Sequence, residues 1–229
     1  MRVVAVVPVK ATSDRVQAKN FREFYDGKSL FDLLLDKLLA SSEIDQVYVS
    51  SNATDLKDRV ESSGARFIKR EDAFCNNEVP WSDVIAHVAE SLPEETDVTL
   101  LWCHTTSPLF GDYDTAVREY IQESREGKYD GLVAVSKLSE FVVSEKRQPL
   151  NYSWGPWHKY SQYLDKLYTI TGGLFIAQKQ EMIRNRYVIS KNPYFFEVSP
   201  LEAIDVDTQY DFELAKILMK NREHLESYT

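Results

Sequence analysis

Val3-Val4-Ala5-Val6-Val7-Pro8-Val9 opens directly into Lys10-Ala11-Thr12-Ser13-Asp14-Arg15-Val16-Gln17-Ala18-Lys19-Asn20. The first run is apolar, continuous and short, as expected of a strand covered on both faces. The second is polar and cationic. Working outward, Leu30, Leu33, Leu34, Leu35, Leu38 and Leu39 recur at helical spacing. A strand is expected at 47–50, a helix at 55–63, a short strand at 66–68 and a helix at 81–92. A strand at 98–102, a helix at 115–126 and a strand at 131–136 follow. Strands separated by helices at this spacing imply a mostly parallel sheet with crossover helices, so the expected class is α/β.

The alternation breaks at 137–168, which holds Trp154, Gly155, Pro156, Trp157 and His158 with Tyr152, Tyr160, Tyr163 and Tyr168. We read it as an arm inserted in one domain spanning 1–229. Its aromatics would form an exposed patch of the kind that marks an interface. The alternative is a lid folded over its own sheet. A strand at 169–177, a helix at 178–186 and a last helix from 208 to about 221 complete the expectation.

The formal net charge is −9, which argues against a general nucleic-acid binder, since phosphate neutralisation needs a basic face. A local cationic pocket remains open to Lys10, Arg15, Lys19, Arg22, Lys28, Lys69 and Arg70. Cys75 and Cys103 fit no zinc spacing, and no apolar run approaches the roughly 20 residues of a membrane span. The expectation is a reduced, cytoplasmic protein.

Four stretches carry chemistry, each with a plainer alternative. The first loop lacks the glycine fingerprints of dinucleotide and P-loop sites. Its hydroxyls and cations could hold a triphosphate, or simply be a solvated surface. In Ile204-Asp205-Val206-Asp207-Thr208, a strand would send both carboxylates to one face, about 7 Å apart, where they could share Mg²⁺. Asp207 or Thr208 could instead cap the last helix, with Asp211 in its first turn. His104, in Trp102-Cys103-His104-Thr105-Thr106-Ser107-Pro108-Leu109, follows a central strand, where open α/β sheets bind ligands. It could also be an ordinary turn histidine. Thr171-Gly172-Gly173 within a strand suggests close backbone approach to a ligand, or a bulge. The two ends of the chain together suggest nucleotidyl transfer.

The same residues, in order over nearly the whole length, resemble the CMP-sialic acid synthetase (acylneuraminate cytidylyltransferase) family and its relatives, the CMP-Kdo synthetases. The family's loop A-R-x-x-S-K-G-x-x-x-K-N is matched at 9–20, its L-L-Q-P-T-S-P-L-R around His104 to Leu109, its R-Q at Ser161-Gln162, and its N-G-A-I-Y at 171–175. Most specific is I-D-I-D-T-x-x-D, here Ile204 to Asp211. The resemblance implies a Rossmann-like three-layer sandwich, nucleotide-diphospho-sugar transferase-like, with a dimerisation arm. It also implies a Mg²⁺-dependent cytidylyltransferase that joins CTP to an acidic keto-sugar, in a homodimer that takes neither nucleic acid nor membrane.

On that resemblance Lys10, Ser13, Arg15, Lys19, Asn20, Lys69 and Arg70 would bind the nucleotide. Asp205 and Asp207 would hold the metal, and His104, Gln162, Thr171 and Gly172 would face the acceptor. Lys10, Lys19 and Asp207 would carry the catalytic charge. The chain departs from the pattern at several positions. Lys10 replaces an arginine and loses its bidentate fork. Asp14-Arg15 replaces Lys-Gly, His104 a glutamine and Thr171 an asparagine. These departures leave open a phosphonate or other small acid as acceptor, and a degenerate nucleotide-binding protein without catalysis. A sugar-1-phosphate nucleotidyltransferase would carry a glycine-rich loop, which is absent.

Overall fold

The computed structural model describes residues 1–11, 16, 18–76, 78–125 and 127–228. Strand β1 (Val3–Pro8) pairs in parallel with β4 (Gln46–Ser51) on one side and β6 (Thr99–Trp102) on the other. Strand β5 (Arg66–Lys69) continues the parallel set beyond β4. Strand β8 (Leu167–Gln178) runs antiparallel to both β6 and β7 (Gly131–Leu138), and β9 (Pro193–Glu197) is parallel to β7. The order is β5-β4-β1-β6-β8-β7-β9, a mostly parallel seven-stranded sheet. A small hairpin of β2 (Glu23–Tyr25) and β3 (Lys28–Ser29) stands apart from it.

Both faces of β1 are buried, which is why its sequence shows no polar alternation. Val3, Ala5 and Val7 pack with Phe31, Leu34, Leu35 and Leu38 of α1 (Leu30–Ala40) and with Val60 of α2 (Lys57–Ser62). The same layer includes Tyr113, Val117 and Tyr120 of α4 (Tyr113–Arg125). Val4 and Val6 face Val84, Ile85 and Val88 of α3 (Trp81–Ser91) and Met182 of α5 (Lys179–Asn185). The result is the three-layer sandwich. Each fully buried aliphatic or aromatic side chain contributes about 1.5–3 kcal/mol. Local signals set the helix starts: Ser29 and Asp32 form a reciprocal cap at α1. The helix expected at 55–63 is divided, a 3-10 turn at Thr54–Leu56 preceding α2.

A third cluster joins Phe24 and Leu30 to Val206 and to Phe212 and Ala215 of α6 (Gln209–Lys220). It anchors the acidic segment against the β2–β3 hairpin and the start of α1. The short α7 (Arg222–Glu226) ends the described chain.

The ends of the expected arm belong to the sheet, since Lys137 pairs with Tyr168 and Leu138 with Leu167. Residues 139–166 project beyond it, with one isolated bridge between Val143 and Pro149. Asn151 holds the base of this segment: it is fully buried, accepts from the Val142 N–H at 2.9 Å and donates to the Glu140 carbonyl at 2.8 Å. Its aromatic tip is open to solvent, with Trp157 76% and Tyr160 74% exposed. Nearer the sheet's centre, the β7–β8 ladder jumps from Val133–Phe175 to Val135–Ile170. Strand β8 therefore buckles across Thr171, Gly172, Gly173 and Leu174, beside the site described next, as bulges often do.

Candidate active site

The chain leaves β1 toward β4 on one side and later fills β6 on the other, so a crevice opens at the C-terminal ends of these strands. A cleft of about 790 Å³ lies there, within the usual size range of small-ligand sites. Lys10, Lys19, Asn20 and Arg70 line it together with Asp205 and Asp207. Phe74, Pro80, Trp81 and Val84 form an apolar wall, and His104, Thr105 and Thr106 contribute the turn after β6.

Lys19 and Arg70 are held by backbone carbonyls. Lys19 is buried; its Nζ donates to the Val206 carbonyl at 2.7 Å and stands 3.8 Å from Asp207 Oδ1. One ammonium thus ties the first loop to the acidic segment. Arg70, also buried, donates to the Val9 carbonyl at 2.9 Å and to Cys75 Sγ at 3.0 Å. Asn20 Oδ1 accepts from the Thr105 hydroxyl at 2.8 Å, which fixes the end of the first loop against the turn after β6.

The acidic segment is irregular rather than a strand, a correction to the expected local geometry. The period-two outcome survives nonetheless. Val206 is fully buried and its N–H donates to the Thr106 carbonyl at 2.8 Å, so Asp205 and Asp207 on either side turn to the cleft. Capping falls to Thr208, whose hydroxyl accepts from the Asp211 N–H at 3.2 Å while Asp211 Oδ2 accepts from the Thr208 N–H at 2.7 Å. The Asp207 N–H also donates to Asp211 Oδ2, at 3.1 Å, while its carboxylate lines the cleft. Desolvation within the concave wall raises the Asp205 pKa; the charge of Asp207 adds to this, while the Thr106 hydroxyl and Lys19 oppose it. Among the described residues no group of three or more His, Cys, Asp or Glu side chains could enclose a metal. A two-carboxylate set fits Mg²⁺, which keeps waters and completes its shell with substrate phosphate.

His104 Nε2 accepts from the Trp102 indole N–H at 2.8 Å. Burial, and then the nearby Lys19 charge, push the His104 pKa down to about 4, so the ring is neutral at pH 7. Gly172 lies against it: a Cβ there would stand 3.2 Å from Asp205 Oδ1, 3.3 Å from Ser107 Oγ and 3.4 Å from His104 Nδ1. Lys37 holds the turn from behind, donating to the Pro108 carbonyl and, at 2.7 Å, to the Phe110 carbonyl. Burial lowers the Lys37 pKa to about 8, helped by Arg222 and opposed by Glu202.

The structure thus brings together Lys10, Lys19, Asn20, Arg70, His104, Asp205 and Asp207, with Gly172 beneath. Three residues expected at the ligand stand elsewhere. Lys69 is exposed on edge strand β5 and is not among the residues that line the cleft. The Thr171 hydroxyl is buried and donates to the Ala134 carbonyl at 3.2 Å, tying β8 to β7. Gln162 sits on the arm in a separate shallow pocket with Lys137, Ser139 and Asp165. Ser13 and Arg15 lie outside the described residues. The apolar wall escaped the sequence reading. Its one local signal is Trp81, a large aromatic at a helix start, 45% exposed.

Two solved structures share this fold. A CMP:2-keto-3-deoxy-manno-octonic acid synthetase complexed with CTP superposes with a TM-score of 0.66 at 15% identity, covering 97% of this chain and 100% of its own. A 4-diphosphocytidyl-2C-methyl-D-erythritol synthase from Anaerococcus prevotii gives 0.64 at 11% identity, over 96% of this chain and 99% of that one. At the level of sequence, the family model described as cytidylyltransferase matches residues 4–228, and the chain belongs to that family. Among its relatives, the N-acylneuraminate cytidylyltransferase of Escherichia coli is 24% identical over 99% of this chain and 55% of its own length. The pseudaminic acid cytidylyltransferase of Campylobacter jejuni is 22% identical over 96% and 97%, and the CMP-N,N'-diacetyllegionaminic acid synthase of Legionella pneumophila 29% over 98% and 100%. The chain therefore spans about half of some curated relatives and the full length of others.

Proposed function

We propose that this protein transfers CMP from CTP to an acidic keto-sugar, releasing pyrophosphate and giving an activated donor for surface polysaccharide. The observation that carries the reading is the convergence of Lys10, Lys19 and Arg70 with Asp205 and Asp207 on one cleft. Its family membership and the names of its relatives agree with it.

The acceptor hydroxyl would attack the α-phosphorus in line as pyrophosphate leaves from the opposite side. Such transfers depend on positioning and charge neutralisation. Lys10 and Lys19 would offset charge on the triphosphate, and Arg70 would hold the nucleotide from the wall. Asp205 and Asp207 would hold Mg²⁺, which when bound supplies charge neutralisation at the phosphate. The apolar wall at Phe74 and Trp81 would exclude water from the reacting groups.

The arm at 139–166 exposes Trp154, Trp157, Tyr160 and Tyr163, a patch suited to a second copy of this chain. In such a homodimer Gln162 would reach the partner's acceptor site. The protein would work in the cytoplasm, where Cys75 and Cys103 remain the free thiols they are here. The deciding experiment screens acidic keto-sugars and phosphonates for pyrophosphate release with each of the four NTPs, with and without a chelator. Release with CTP and a keto-sugar acid, abolished by chelation, is expected. Release only with a phosphonate would reassign the acceptor, and no release with any pair would leave a nucleotide-binding protein.

A further inference from the structure

Trp102, and its hydrogen bond to His104, carry no role in the transfer as described so far. Trp102 is fully buried between the sheet and α3, and its indole N–H can only donate. The nitrogen it meets at 2.8 Å, His104 Nε2, must therefore be bare, and the proton of the neutral ring sits on Nδ1. Trp81 and Phe175 flank the ring at 6.0 and 5.9 Å between centroids and hold its plane. Nδ1 is directed to the polar cluster over Gly172, with Asp205 Oδ1 and Ser107 Oγ. Ser107 is 3% exposed, and its Oγ has no hydrogen-bond partner among the described residues. A buried hydroxyl without a partner is costly, and a ligand atom that satisfies it offsets that cost.

The family's glutamine would present both a donor and an acceptor at this position. His104, with Nε2 capped by Trp102, presents a donor alone. We infer that Trp102 is a positioning residue which fixes His104 as an Nδ1–H donor, and that Nδ1–H and the Ser107 hydroxyl together grip a proton-free oxygen of the acceptor. The inference rests on the cytidylyltransferase reading for its substrate. The oxygen would be a carboxylate or an acyl carbonyl, so the site selects acceptors that offer a lone pair there.

Two measurements test it. Nitrogen-15 NMR of the ligand-free protein, with the His104 signal assigned by its loss in His104→Asn, should show protonated Nδ1 and bare Nε2. A proton on Nε2 would overturn the inference whatever the enzyme's activity, and this measurement stands even if Trp102→Phe fails to fold. The second is a double-mutant cycle at saturating CTP, read as kcat/KM for the acceptor. Asparagine places an amide nitrogen near the Nδ1 position without needing the indole. Trp102→Phe should therefore cost about tenfold when His104 is present, the worth of one hydrogen bond, and little in the His104→Asn background. The KM for CTP should stay unchanged in both. Equal costs in the two backgrounds would mean that Trp102 is only core packing. Acceptors with and without N-acyl groups separate the two oxygen sources: coupling with both assigns the carboxylate, coupling with the acylated acid alone the acyl carbonyl. A wild type that turns over no acid would sink the transferase reading while leaving the NMR result intact.

Discussion

Gly172 and Gly173 are adjacent in sequence, yet a methyl group at each should fail for opposite reasons. At 172 the φ angle lies outside the left-handed region, so alanine is permitted by the backbone. Losing a glycine from a strand contributes roughly 0.5–1 kcal/mol of stability. The added Cβ would meet Asp205 Oδ1, Ser107 Oγ and His104 Nδ1 at 3.2–3.4 Å, and each group must yield a few tenths of an ångström. These are side chains on irregular segments that can yield, so stability should change by less than about 1 kcal/mol. Activity should not survive as well. Misplacing reacting groups by about 1 Å costs on the order of 10²-fold, so smaller shifts in three groups should cost about tenfold in kcat/KM. At 173 the Cβ would stand 2.9 Å from Phe110 Cγ and 3.1 Å from its Cβ, on a fully buried ring packed edge-on against Tyr113. Overpacking there should cost about 1–3 kcal/mol, a fall in Tm of several degrees for a chain of this size. The assay is thermal unfolding beside pyrophosphate release for both variants. Wild-type turnover by Gly172→Ala would refute the placement of the acidic segment and His104 at the reacting groups. A loss of stability equal to that of Gly173→Ala would show that Gly172 is a packing residue only.

Asp207→Asn should abolish divalent-dependent turnover with Tm nearly unchanged, because the α6 cap uses the Thr208 and Asp211 side chains and only the backbone N–H of Asp207; normal turnover would remove the metal assignment. Alanine at Lys10 or Lys19 should each lower kcat/KM on the order of 10²-fold, and two variants with normal kinetics would make the first loop a surface feature. Trp157→Ser should lower the mass seen by light scattering from dimer to monomer, and an unchanged mass would leave the arm as a lid. Lys37 binds its proton more weakly folded, at about 8, than unfolded, near 10.5. Between those values the unfolded chain holds more protons, so this group's contribution to stability rises with pH, by up to ~3 kcal/mol across the window. Denaturant titrations from pH 8 to 10 should show that rise in the wild type and lose it in Lys37→Met; identical slopes would contradict it.

Much of this was set by local pattern. Continuous apolar strands, leucines at helical spacing and the Thr208–Asp211 cap depend on neighbours a few residues away, and the α/β order follows from them. The alternation of Asp205, Val206 and Asp207 was equally legible, because one buried valine between two acids sends both carboxylates outward even without a strand. Long-range packing decided the rest. No local signal tells β8 to enter the sheet antiparallel between β6 and β7, or to buckle where Gly172 meets His104, since both depend on registers with strands distant in the sequence. Lys37 reads as a solvated helix lysine until α1 packs under the carbonyls of Pro108 and Phe110. Lys69 and Arg70 are neighbours in a basic run, yet the edge of β5 leaves one in water and folds the other under Val9. Sequence periodicity sets which face of an element is buried; only the packed sheet decides which charged ends meet in the cleft.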